Sequence, residues 1–360
     1  MKYFETIPDP RVLGRCKYRL CDILFIALAT YVFGGEDYTD MHEFAIERAE
    51  ALKDFVQFED GVPSVDTFER VLGLIEPNSL NACLMVYAQD IIEDLKDKHI
   101  ALDGKTIRGS KKHKGSTHIL SAWVSEHSLS LSQVAVEEKS NEIKAIPEVL
   151  DSLDITGAVI TIDAMGTQTD IARQIIEAEG DYVLALKKNQ KALWEDARDT
   201  FTIKRIKAEE YRTDDVDHGR AETRIYTALP TSDILLDEDG KWANLQSLVR
   251  VERKVYNKSK QEEHSDIQYY ITSLPASQVQ RIAQCIRGHW SIENQLHWHL
   301  DVSFGEDHCR ARRGYAPVNL NVLRKLALGI VKAQKDKHSV KKRMFKAAMN
   351  PEYLRKLLRI

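Results

Sequence analysis

The chain has 360 residues, 51 Lys and Arg against 55 Asp and Glu for a formal net charge of -4, with 43% hydrophobic and 29% charged residues. These figures exclude a disordered chain and a uniformly basic nucleic-acid-binding domain, and they leave room for two or three substructures. The longest apolar run, Ile23 to Phe33, is too short to span a bilayer and is expected to be a buried helix. Cys16, Cys21, Cys83, Cys285 and Cys309 are odd in number and lack zinc or redox spacing, which fits a reduced, cytoplasmic setting.

Residues 1–95 are expected to form a helical domain, with Asp22 capping the helix through Phe33 and Ser64 with Thr67 opening another at Val65. The acid-rich stretch from Glu36 to Arg70 reads as a solvated surface or a dimer contact. From Asp97 the hydrophobic period changes to alternation. Strands are expected at 99–103, 117–127 and 129–137, a helix at 141–153, a strand ending at Asp163, a helix at 168–179 and a strand at 181–187. This β-β-β-α-β-α-β order predicts an α/β fold, an RNase H-like mixed sheet with flanking helices, over residues 96–315. A β-rich insertion at about 202–275 interrupts it, and a long helix follows from Ser277 through Leu300. Residues 316–360 read as a basic helical tail, because 324–360 carry twelve Lys and Arg against Asp336 and Glu352, and such a face suits phosphate.

Two apolar strands close on a carboxylate: His99 to Leu102 on Asp103, and Ala158 to Ile162 on Asp163. A third acid comes from the helix Arg287 to Asp301, where α-helical spacing puts His289, Glu293 and His297 on one stripe and Trp290, Asn294 and Trp298 on the next. His289, Glu293 and His297 over two turns converge poorly on zinc, and no thiolate is near. Asp103, Asp163 and Glu293 together form an all-oxygen set suited to Mg²⁺, with Mn²⁺ as a substitute. Such a set can hold two ions for phosphodiester chemistry. Asp301, Glu306 and Asp307 are alternative third acids.

In these residues the chain resembles the DDE transposases of bacterial insertion sequences, specifically the H-repeat-associated branch. The resemblance rests on ordered short stretches: Pro8-Asp9-Pro10-Arg11, Pro63 to Phe68, Leu102 to Thr106, Glu138 to Ile143, Asp163 to Gly166, Ala185 to Gln190, His218 to Arg224 and His289 to Asp301. It implies an RNase H-like catalytic domain with Asp103, Asp163 and Glu293 as metal-binding triad. It also implies a dimer or higher multimer acting on double-stranded DNA at transposon ends and on target DNA.

The family gives the insertion a DNA-binding role, and His218, Arg220, Glu222 and Arg224 match its signature. Arg220 and Arg224 would share a strand face and grip phosphates, and a salt bridge of Glu222 is left open only to another strand. Lys187 and Lys188 follow a strand where the family places basic residues, and one or both are expected on the DNA backbone. The pattern departs where related transposases carry Tyr, Arg and Lys around the catalytic Glu, for here stand Ile286, His289 and Leu300. His289, His297, Arg287, Lys105 and Arg108 are the candidates to take over the phosphate contacts, with Trp290 and Asn294 also expected on DNA. The leading reading is a transposase performing metal-dependent strand cleavage and transfer; a catalytically decayed DNA-binding remnant and a cellular metal-dependent nuclease are the alternatives.

Overall fold

The computed structural model describes residues 2–111, 115–136, 142–202, 208–217, 219–234, 236–237, 240–259 and 261–358. Nine strands are described: β1 (His99–Thr106), β2 (His118–Val124), β3 (Leu129–Val136), β4 (Val159–Ile162), β5 (Asp181–Leu186), β6 (Glu209–Asp217), β7 (Arg220–Pro230), β8 (Ser247–Asn257) and β9 (Glu262–Thr272). Their hydrogen-bonded order is β3-β2-β1-β4-β5-β9-β8-β7-β6. The leading five strands stand in the 3-2-1-4-5 order of an RNase H-like mixed sheet, with helices Glu142–Asp151 and Thr169–Glu177 between the parallel strands.

The chain forms two compact units that are not sequential blocks. One comprises Met1–Asp94, Gly104–Ala145 and Ser291–Ile360, the other Leu95–Asp103 and Ile146–Trp290. The boundary passes through β1.

In the second unit β4 runs parallel to both β1 and β5. The expected insertion continues this sheet: β9 pairs antiparallel with β5, and β8, β7 and β6 follow as an antiparallel meander. β6 had no expectation from sequence because Glu209, Glu210, Asp214, Asp215 and Asp217 break any β-branched run, yet such charges suit an edge strand that must not pair with another chain. Helix Val279–Ser291 lays Val279, Ile282, Ala283 and Ile286 against Val159, Val183, Tyr226, Ala228, Val249 and Val251. Each of the valines and isoleucines among them stabilises by about 1.5–3 kcal/mol on burial.

The first unit contains the expected apolar helix, Leu20–Phe33, buried from Leu20 through Val32. Its N-cap is Arg19, so Asp22 lies inside the first turn and is buried 3.9 Å from Arg19. Ser64 caps helix Val65–Leu74 as expected, accepting from the Thr67 amide. The expectation of a basic surface is corrected for Ala316–Lys332, whose residues 316 through 331 are all buried. Its apolar residues run all round the helix, so its two central cations are enclosed. Arg324 lies 3.5 Å from Glu306 and 4.8 Å from the Tyr31 ring centroid. Lys325 donates to Ser121 Oγ at 2.7 Å and Gln133 Oε1 at 2.6 Å.

Gly104, the residue after Asp103, has no room for a side chain, since a Cβ would meet the His118 ring and lie 2.7 Å from the Glu142 carboxyl. His118 joins these groups, 3.0 Å from Thr106 Oγ1 and 3.1 Å from Glu142 Oε2. The five cysteines are thiols, and no described helix is long and apolar enough to cross a membrane.

Burial pushes the Glu306 carboxyl up, but Lys105 and Arg324 more than reverse this and hold it below the usual glutamate range. Its contribution to stability is complete above the ordinary glutamate value and lost as pH falls through the lower folded value. Glu306→Ala takes from the buried Arg324 its carboxylate and from Lys105 one of three, and should cost about 3–5 kcal/mol in urea unfolding at neutral pH; a loss below about 1 kcal/mol would contradict the network.

Burial pushes Lys325 down to about 7. The unfolded chain keeps that proton up to about pH 10.4, so stability should rise between about pH 7 and pH 10. Lys325→Met should reduce that rise, read as Tm across the interval; an unchanged slope would show that Lys325 stays charged when folded.

Candidate active site

Parallel pairing sets Leu102 of β1 beside Ile162 of β4. The next residue of the chain is acidic in each case, so Asp103 and Asp163 stand at one level and on one face, with backbones about 4.8 Å apart; β1 runs on to Thr106, three residues past the expected strand end at Asp103, while β4 stops at Ile162. Both side chains are half-buried. Asp163 also caps the 3-10 turn Ala164–Gly166, its Oδ1 accepting from the Met165 amide at 2.9 Å and the Gly166 amide at 3.3 Å. Both bonds fall on one oxygen, and Oδ2 remains as a donor to a cation. Gly166 lets the turn pack closely, for a Cβ there would meet Ile162 and lie 2.8 Å from Ile146.

The turn after β5 supports this loop. Asn189 donates to the Ala164 carbonyl, Gln190 to the Thr167 carbonyl at 2.9 Å, and Thr167 to the Ala185 carbonyl at 2.7 Å. Lys187 and Lys188 are carried on that turn, exposed, and the Lys188 ammonium lies 5.9 Å from the Trp194 ring centroid.

Two residues before Asp163, Thr161 Oγ1 lies 2.7 Å from His99 Nε2 and 2.8 Å from His289 Nδ1. The alternation of the strand puts Thr161 on the face of Asp163, where helix Val279–Ser291 brings His289. Burial pushes His289 down to about 4 against the opposing pull of Asp163, and burial followed by His289 pushes His99 down to about 3. His289 is therefore neutral at neutral pH and offers a hydrogen-bonding imidazole beside Asp163.

Glu293 belongs to the first unit. It stands exposed with Asn294 on a π-helical turn, Ile292–His297, whose Ile292 and Leu296 are buried. The 3.6-residue spacing on which the expected stripe of His289, Glu293 and His297 rests does not hold across this wider turn. His297 is half-buried, and burial, then Lys325 and Lys105, push it down to about 3. Among the described residues no three His, Cys, Asp or Glu side chains are gathered as a metal site.

The remaining expected contacts divide into two groups. Lys105 is buried against Asp301 at 2.7 Å, Glu306 at 2.9 Å and Asp307 at 3.6 Å, which turns its ammonium inward and corrects its expected phosphate contact. The same pairing occupies the three alternative acids. Arg224 lies 2.7 Å from Glu222 on its own strand, a same-face pairing two residues apart that sequence reading had set aside and a long guanidinium can span. Arg287 is engaged too, 3.0 Å from Glu222 and 3.1 Å from Asp215. Arg108, Arg220 and Trp290 are exposed. His218 lies outside the described residues. Thr161, His99 and Glu222 acquire roles that strand patterning did not announce; the polar Thr161 and His99 within apolar runs were the available signal.

Models of two protein families match the chain, DDE_Tnp_1-associated over residues 1–88 and Transposase DDE domain over residues 94–330. It is 37% identical to "Putative transposase YncI" of Escherichia coli O157:H7, over 99% of this chain and 94% of that protein. It is 36% identical to "H repeat-associated putative transposase YhhI" of Escherichia coli strain K12, over 99% and 97%. The piggyBac transposase synaptic complex with hairpin DNA aligns with all of this chain and 77% of its own at 12% identity and a TM-score of 0.40, too distant to add to these matches. By the matched domain and the full-length relatives, the chain belongs to the family of transposases with a DDE domain, in its H repeat-associated branch.

Proposed function

We propose that this transposase cleaves and joins DNA strands at the ends of an insertion sequence, with Asp103, Asp163 and Glu293 holding Mg²⁺, or Mn²⁺ in its place. The observation that carries this reading is the parallel register of Leu102 with Ile162, which sets the next residues, Asp103 and Asp163, at one level of one sheet face. Their donors suit the ion: carboxylate oxygens are hard ligands, and like charges one strand spacing apart repel until a cation lies between them. When bound, the ions supply activation of a water or 3′-hydroxyl and neutralisation of charge on the leaving oxygen.

The chain's own residues do the rest. The Asn189 and Gln190 bonds hold the Asp163 loop, Thr161 orients His289 beside the acids, and the Lys187-Lys188 turn meets phosphates of double-stranded end or target DNA. Trp290, Asn294 and Arg220, all exposed, are further contacts in this reading, and the working form on DNA is a dimer or higher multimer.

The direct test incubates the purified protein with a supercoiled plasmid carrying its gene and flanking DNA, in Mg²⁺, Mn²⁺ or EDTA, and maps 3′-hydroxyl ends. Breaks at the element's borders should need metal and fall at least ~10³-fold, about 4 kcal/mol in barrier, in Asp103→Asn, Asp163→Asn and Glu293→Gln, with circular dichroism unchanged. Full cleavage in any one variant removes that residue from the triad; DNA binding without breaks under either metal identifies a decayed binder.

Lys187→Ala with Lys188→Ala should weaken binding of an end fragment and lower the slope of log K against log salt by about 2. An unchanged slope would place both lysines off the DNA.

A further inference from the structure

The most concentrated charge cluster of the second unit is centred on Glu222 of β7. Its carboxylate meets Arg224 at 2.7 Å, Arg253 of β8 at 2.9 Å and Arg287 of helix Val279–Ser291 at 3.0 Å. Asp215, opposite Glu222 on β6, takes the other arm of Arg287 at 3.1 Å, and Asp266 lies 3.6 Å from Arg253. Three guanidiniums thus face three carboxylates. A balanced set of this kind has no surplus positive charge to offer a phosphate, which separates it from a DNA-gripping patch. Glu222 and Arg224 are only 16% and 11% exposed in their side chains, so the pairing is shielded from solvent. Burial pushes the Glu222 carboxyl up, but Arg253, Arg224 and Arg287 more than reverse it and keep it ionised.

The placement of the cluster follows from strand alternation. Glu222, Arg224, Tyr226 and Ala228 point to one face of β7, and the last two pack against the apolar side of helix Val279–Ser291. The same helix carries Arg287 to Glu222 and, two residues later, His289 to Thr161, beside Asp163. It is therefore pinned on both sides: to the β6–β7 hairpin by ions, and to the carboxylate-bearing strand by a hydrogen bond. The hairpin between Asp217 and Arg220 turns through Gly219 at φ +78° and carries exposed Arg220 at its end.

We propose that Glu222 is a positioning residue, an ionic clamp that fixes the end of helix Val279–Ser291, and with it His289, against the strands added to the catalytic sheet. Its effect on catalysis rests on the transposase chemistry proposed above; the clamp does not. Arg224 and Arg287 are then parts of the clamp, and of the arginines in this motif Arg220 is the one left to meet DNA.

The test uses the full chain with Glu222→Gln and Arg287→Ala, separately and together. Hydrogen–deuterium exchange of the peptide covering residues 279–291 should quicken about tenfold or more in each variant, and in the double variant by less than the two effects combined, because the Glu222–Arg287 pair is lost in both. Exchange over β4 should stay unchanged. On end-fragment DNA, turnover should fall about tenfold or more with Kd and its salt slope unchanged, the mark of a misplaced group rather than a lost contact. Arg287→Lys, which keeps the charge, should recover part of the exchange protection. Unchanged exchange in both single variants overturns the clamp. A Kd that weakens with a shallower salt slope overturns it as well, returning these arginines to DNA binding. If the wild-type protein cleaves nothing, the proposed chemistry fails while the exchange result still decides the clamp.

Discussion

Because Leu102 pairs with Ile162 in parallel register, β1 within its length and β4 at its end each deliver a carboxylate at the same level of the same sheet face. Every other feature of the second unit serves or inherits that alignment. A slip of one residue would send one acid to the opposite face, since strand side chains alternate. The register is held by complete burial of His99 through Leu102 and of Val159 through Ile162, and across it by the bond between His99 and Thr161.

The second theme is the inward use of basic residues. A transposase with formal net charge -4 must still meet DNA, and the charge count alone misjudges how. Lys105, Arg324 and Arg343 are enclosed among carboxylates and carbonyls of their own unit, Lys325 is bonded to Ser121 and Gln133, and Arg224, Arg253 and Arg287 surround Glu222. Among the exposed cations are Lys187, Lys188, Arg108 and Arg220 of the motifs, and Lys341, Lys342 and Lys346 on a later helix.

Much of the fold was legible because its signals are local. β-branched runs ending in Asp located β1 and β4, the Ser64 cap located its helix, and the succession of elements located the sheet order. What escaped depended on tertiary context. β6 is an edge strand whose charges are tolerated only because one side faces solvent. Helix Ala316–Lys332 looked basic because Arg324 and Lys325 were counted without the Glu306, Ser121 and Gln133 that receive them. The π-helical turn at Ile292–His297 cannot be read from a 3.6-residue period. In the candidate site, two strand-end acids were visible as residues; the Thr161 bridge between His99 and His289 emerged only with the packing.

The most direct measurement of the central claim is an anomalous difference map from crystals of the protein bound to its end DNA and soaked in Mn²⁺. The account predicts a peak ligated by Asp103 and Asp163, with Glu293 completing the donor set. A peak at Asp301, Glu306 or Asp307, or none beside Asp163 while DNA is bound, would contradict it.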